Sequence, residues 1–121
     1  MSLPAGYLKF RGQLAEANDQ RFYPVQWLDR QIETGLSHPI IGEKSAMVVG
    51  VRTYPGGARI GHIRAACGDL EELVNILAPI AEEWGRDNQC DMALLEGREG
   101  WKRALNGHGW RTYQIALLKD L

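Results

Sequence analysis

Hydrophobic and polar positions follow two different periods along the chain. The clearest strand signal is Ser45–Thr53, a valine-rich run of the kind that suits a pleated, half-buried surface. Tyr54-Pro55-Gly56-Gly57 then supplies turn residues, and Ala58–Cys67 reads as the returning strand of an antiparallel hairpin. Gly61 inside that strand predicts a bulge or a close backbone approach. The period changes at Asp69. Leu70, Leu73, Val74, Leu77, Ile80, Ala81 and Trp84 recur on one helical face, with Glu71, Glu72, Asn75, Glu82 and Glu83 on the wet side. Asp69 is placed as N-cap and Glu72 as its capping-box partner, and Pro79 predicts a kink. Gly85 and the polar residues after it end the helix.

A short strand, Asp91–Leu95, leads into Glu96-Gly97-Arg98-Glu99-Gly100-Trp101. This reads as a glycine turn feeding a short helix that stops at Gly107 and Gly109. Arg98, Trp101 and Leu105 share one face, so Trp101 and Leu105 are expected to be buried against a sheet. Arg98 beside a helix start opposes the macrodipole and calls for an anion or a carbonyl nearby. A last strand is expected over Arg111–Leu118.

The N-terminal third is less regular. Residues 1–20 read as an irregular segment, with a short edge strand around Tyr7, Leu8 and Phe10 interrupted by Pro4, Gly6 and Gly12. Pro24 suits the first turn of a helix, and Val25, Leu28 and Ile32 continue it at helical spacing until Gly35 stops it. Ser37–Lys44 reads as a connection with Ile40 and Ile41 tucked against the core. Together these elements predict one α/β (α+β) domain over residues 1–121: a mixed sheet of four or five strands, with an antiparallel hairpin followed by helix, strand, helix, strand.

Composition narrows the function more than the fold. The chain is 45% apolar and 24% charged, with a formal net charge of −1. No basic field invites nucleic acid, and no run approaches the roughly 18 apolar residues of a membrane span. The start of the chain does not read as a signal peptide, and the two cysteines, Cys67 and Cys90, are too few for a disulfide scaffold. A cytoplasmic protein with reduced thiols is the expectation. No Cys-x-x-Cys or His-x-x-x-His pair exists, so no metal site is expected. A Cys–His nucleophile pair lacks any surrounding motif. His38 and His108 read as lone polar residues of a loop and a helix end.

The order hairpin, long helix, strand, short helix and strand, with Gly109-Trp110 closing the short helix, resembles the C-terminal two thirds of the GNAT N-acetyltransferase superfamily. More closely, Gly97-Arg98-x-Gly100-Trp101-x-Arg103-x-Leu105 followed by Gly109-Trp110 and a terminal Lys119-x-Leu121 resembles GNAT-like proteins of phages and prophages. The resemblance covers about residues 45–121.

It implies a cofactor, acetyl-CoA, whose pyrophosphate such proteins hold on bare N–H groups at the start of the long helix. The family's Arg/Gln-x-x-Gly-x-Gly/Ala pattern falls on Arg64 to Asp69, where the arginine is present and the glycine spacing is not. Arg64, Gly68 and Arg98 are the cofactor-side candidates. Arg98 takes the place of the family's asparagine, and Leu105 that of its proton-donating tyrosine. A leucine cannot be a general acid. The remaining catalytic candidates are Tyr113 on the last strand and His62 on the second hairpin strand, against a plainer reading of His62 as a half-exposed strand histidine.

The resemblance therefore points to a phage-type GNAT fold with a degenerate cofactor site, no bound cofactor and no catalysis. Such a protein would act on a protein partner, in virion assembly or host interaction, and would reside in the host cytoplasm or the virion. Two alternatives stand beside it: an acetyl-CoA-dependent N-acetyltransferase, and a structural homodimer packed through Trp110 or the N-terminal segment.

Overall fold

The computed structural model describes residues 2–121; Met1 lies outside the described residues. The chain opens with two helices, α1 (Ala5–Ala17) and α2 (Val25–Glu33). Four strands follow in sheet order β1-β2-β3-β4: β1 (Ser37–Ile41), β2 (Ser45–Thr53), β3 (Arg59–Gly68) and β4 (Met92–Leu95). Strands β1, β2 and β3 pair antiparallel, and β4 joins β3 parallel after a helical crossover. That crossover, α3, runs continuously through Leu70–Glu72, a π turn over Leu73–Leu77, and Ala78–Asp87. A short α4 (Gly100–Ala104) follows β4.

Helix α1 replaces the expected irregular segment and edge strand. Tyr7, Phe10 and Leu14 are buried at helical spacing, and that face outweighs the cost of Gly6 and Gly12, each worth about 1 kcal/mol against alanine. Pro4 sits just before the helix, where a missing N–H costs nothing. A second correction concerns Ser37–Lys44, most of which is the edge strand β1. Its Pro39 is tolerated because β1 pairs on one side only, and of its two isoleucines Ile40 is buried and Ile41 exposed. A third is the end of the chain: Arg111–Leu121 joins no strand, and Tyr113, Ile115 and Leu117 are exposed.

Two cores sandwich the sheet. On one face Tyr7, Phe10 and Leu14 of α1 and Leu28 and Ile32 of α2 pack on Ala46, Val48 and Ala65. On the other, Leu73, Leu77, Ala78 and Ala81 of α3 pack on Ile40, Met47, Val49 and Ile63. A two-pronged Arg11–Asp29 ion pair, with Nη2–Oδ2 at 2.7 Å, and a Tyr7 hydroxyl that donates to Asp29 at 2.6 Å lock α1 to α2. Arg11 holds the Asp29 carboxyl below the usual carboxylate range, and burial raises the Tyr7 phenol.

The face of α3 is narrower than its sequence suggests. Leu70 and Ile80 are about half exposed, and Ala78 joins the buried set instead. A π turn precedes Pro79: the Ala78 N–H reaches back five residues to the Leu73 carbonyl, and helical structure continues past the proline to Asp87. The expected bulge exists, but not at Gly61. Val48 pairs with Ala65 and Val49 with Ile63, which leaves Arg64 as the extra residue. Gly61 is instead a point of close approach, where an added Cβ would lie 3.5 Å from the Gly85 Cα of α3.

Candidate functional site

The bulge decides which side chains meet. Without it, Ala65 and Ile63 would share a face; with it they enter opposite cores, and Arg64 and His62 both turn to the α1–α2 side. There they meet Ser37 of β1, Arg52 of β2, Glu96 just after β4, and Tyr23 and Trp27 at the start of α2. The Arg64 guanidinium lies against the backbone at Gly50, where an added Cβ would come within 2.3 Å of Nε. Its Nε donates to Ser37 Oγ at 3.0 Å, its Nη2 to the Val51 carbonyl at 3.2 Å, and its Cζ lies over the Trp27 ring, 5.5 Å from the centroid.

His62 is the centre of this group, and only 3% of it is exposed, so it is not the half-exposed histidine the strand pattern suggested. Nδ1 lies 3.3 Å from Arg64 Nη1 and Nε2 lies 3.0 Å from Glu96 Oε1. A guanidinium can only donate, so Nδ1 accepts and the proton sits on Nε2, which donates to Glu96. Burial first, then the charges of Arg52 and Arg64, bring the imidazole down to about 4 despite the opposing pull of Glu96. At neutral pH this is an uncharged imidazole. Arg52 also reaches Glu96 at 3.2 Å and the Tyr54 hydroxyl at 3.0 Å.

The second candidate region is the start of α3. Strand β4 pairs β3 only over Ile60–Ile63, so the rest of β3 up to Gly68 is unpaired on that side. At the start of α3 a furrow is lined by Leu70, Glu71, Val74, Asn75, Ala104 and His108. Gly68 adopts φ +101°, and any Cβ on it would stand 2.2 Å from the Lys44 carbonyl oxygen, so only glycine fits. The next amide, Asp69 N–H, donates to that same Lys44 carbonyl at 3.0 Å. The Asp69 carboxylate caps the Glu72 N–H at 2.9 Å. The return half of the expected capping box is absent: the Glu72 carboxylate binds the Ser45 hydroxyl and the Lys44 N–H instead, which keeps its pKa low.

The sequence candidates do not converge. His62 and Arg64 belong to the cluster under α2, and Gly68 lies at the far end of β3. Arg98 is exposed, and among the described residues no ion pair or hydrogen bond holds its side chain, so the anion or carbonyl expected beside it is not engaged. Tyr113 is 77% exposed on the segment that joins no strand, and Leu105, in the position of the family's tyrosine, is buried. Trp101 is half-buried against the α3-side core, where full burial was expected.

Burial raises both cysteine thiols, which keeps them uncharged. His38, read as a loop residue, stands on β1 and stacks on Trp84 of α3 at 6.2 Å. Among the described residues no His, Cys, Asp and Glu side chains gather as a metal site, and no helix is long and apolar enough to cross a membrane. Sequence reasoning missed Arg52 and Tyr23 altogether, and it placed Glu96 only in the turn after β4 and not with His62. The one signal for the cluster was Gly50 in the middle of a valine-rich strand, which marks a close approach.

No protein-family model and no curated protein sequence matches the chain significantly. Solved structures do match. A GCN5-related N-acetyltransferase from Ralstonia eutropha JMP134 superposes with a TM-score of 0.74 at 16% identity, over 98% of this chain and 95% of that one. Glucosamine-6-phosphate N-acetyltransferase from Arabidopsis thaliana gives 0.70 at 14% identity, over 99% and 95%. A transcriptional regulator from Bacillus halodurans C-125 gives 0.65 at 16% identity, over 100% and 97%. At such identities the likeness is one of architecture. The four-strand mixed sheet and its long crossover helix match these neighbours, and the chain has the GNAT fold.

Proposed function

We propose that this chain is a GNAT scaffold that has lost its acetyl-CoA site and acts by binding rather than by acetyl transfer. The observation that carries the reading is the start of α3. A pyrophosphate needs unpaired N–H groups and a positive field. Here the Asp69 N–H is bound to Lys44, the Glu72 N–H is bound to the Asp69 carboxylate, and Asp69, Glu71 and Glu72 put three acidic residues at the start of the helix. The groove on the other side of the same turn is lined by Glu43 and Glu72 with Ile41 and Ile76, which extends the acidic rim. The likeness of Gly97–Leu121 to phage and prophage proteins supports a partner in virion assembly or in the host cell, and a place in the virion or the host cytoplasm.

A second reading, an acetyl-CoA-dependent N-acetyltransferase, is favoured by His62: a neutral imidazole on β3, oriented by Glu96. Thermal denaturation with acetyl-CoA separates the two. A ligand at 100 times its dissociation constant stabilises a fold by about 2.7 kcal/mol. Millimolar acetyl-CoA is expected to leave the melting temperature within a degree of the free protein. A rise of several degrees overturns the degenerate-site reading and restores the enzyme.

A further inference from the structure

The cluster beneath α2 carries more positive charge than it can neutralise by itself. Arg52 and Arg64 are both cationic, His62 is neutral, and the one carboxylate among their contacts is Glu96. Glu96 satisfies Arg52 and His62. Arg64 is half-buried with no carboxylate within ion-pair distance among the described residues; its partners are a serine hydroxyl, a backbone carbonyl, an imidazole nitrogen and the Trp27 ring. Leaving a desolvated guanidinium without a counter-ion is costly, and a second cation nearby adds to the cost. Burial and then Arg52 accordingly pull the Arg64 guanidinium below its usual value.

The cluster is also reachable. Arg52 keeps 27% of its side chain exposed, and Glu96, on the turn that leaves β4, keeps 52%. Glu96 is thus a carboxylate on a long side chain at the rim, occupying the position an outside anion would take. Tyr23 and Tyr54 place hydroxyl groups beside Arg52, at 3.5 and 3.0 Å, and these can turn to donate to an oxyanion.

We propose that this cluster is a binding site for a small oxyanion group, a carboxylate or phosphate, gripped by Arg52 and Arg64 with Glu96 as the internal competitor it displaces. The proposal is independent of whether acetyl-CoA binds at α3, since the two regions share no residue. The geometry makes an unusual forecast for Glu96→Gln. If Glu96 were only a structural partner of Arg52, its removal would weaken the site. As a competitor, its removal leaves two uncompensated guanidinium groups and tightens anion binding.

The experiment is a titration of the full chain with inorganic phosphate and, separately, with acetate, against sodium chloride at matched ionic strength. The readouts are the melting temperature and the imidazole ¹⁵N resonances of His62. Phosphate or acetate is expected to shift the His62 signals saturably where chloride does not, with affinity at least threefold tighter in Glu96→Gln and lost in Arg64→Met. The stronger of the two probes identifies the headgroup. If neither anion exceeds chloride in the wild type and in Glu96→Gln, the proposal fails. Because Glu96→Gln removes only a rim carboxylate, that result overturns the site even if Arg64→Met does not fold.

Discussion

A single residue, His62, shows how burial and charge turn a common side chain into a stability determinant. Its imidazole is held near pKa 4 in the fold against an ordinary value of 6.5, chiefly by burial, then by Arg52 and Arg64, with Glu96 pulling the other way. Between those values the unfolded chain takes up a proton that the native state refuses, so stability falls as the pH drops from about 6.5 to about 4. The contribution is fully present above 6.5 and exhausted below 4, and it amounts to roughly 3 kcal/mol. Urea unfolding at pH 7.5, 5.5 and 4 should show this loss, and His62→Gln should flatten it. A wild-type slope no steeper than that of His62→Gln would mean that the imidazole is solvated. The site was hidden at sequence level for the same reason it exists. Alternation along β3 places His62 on a half-wet face, but the extra residue at Arg64 resets the alternation, and a one-residue bulge leaves no mark in a hydrophobic pattern.

Among the elements, those legible in the sequence are the ones whose local chemistry and tertiary setting agree. The β2–β3 hairpin combines valines with a Pro-Gly-Gly turn, and α3 combines an N-cap with an apolar stripe. Where they disagree, packing wins. Gly6 and Gly12 argued against α1, yet Tyr7, Phe10 and Leu14 had the right spacing and the sheet needed a cover. Conversely, Arg111–Leu118 has a strand's composition but no strand beside it in the sheet. The short helix α4 is an intermediate case. Its Trp101 packs against the α3-side core while remaining half-exposed. Trp101→Ala should therefore cost about 1–3 kcal/mol, below the 3–5 of a fully buried tryptophan. A chemical-denaturation midpoint unchanged from wild type would show that α4 adds nothing to the core, and a loss above about 4 kcal/mol would show that it anchors the sheet edge.

At the scale of the whole molecule, stability resides in two cores that share one sheet, and everything after Trp110 stands outside both. Trp110 itself is half-buried on the α3-side core, but each residue from Arg111 to Leu121 is exposed, including Ile115 at 80% and Leu117 at 93%. The tail's one ion pair among the described residues, Arg21 to Asp120 at 3.5 Å, joins two side chains that are 63% and 87% exposed, the kind of surface contact that contributes little. Tolerance to truncation follows the burial and hydrogen bonding of the removed backbone. A chain ending at Trp110 should thus keep its circular-dichroism spectrum and melt within about 2 °C of the full chain, a shift that corresponds to less than about 1 kcal/mol for a domain of this size. It should also self-associate less, because it sheds Tyr113, Ile115, Leu117, Leu118 and Leu121, a large share of the apolar surface facing water. If the truncated chain instead unfolds or melts more than about 5 °C lower, Arg111–Leu118 forms a structural strand in solution and the sheet extends past β4.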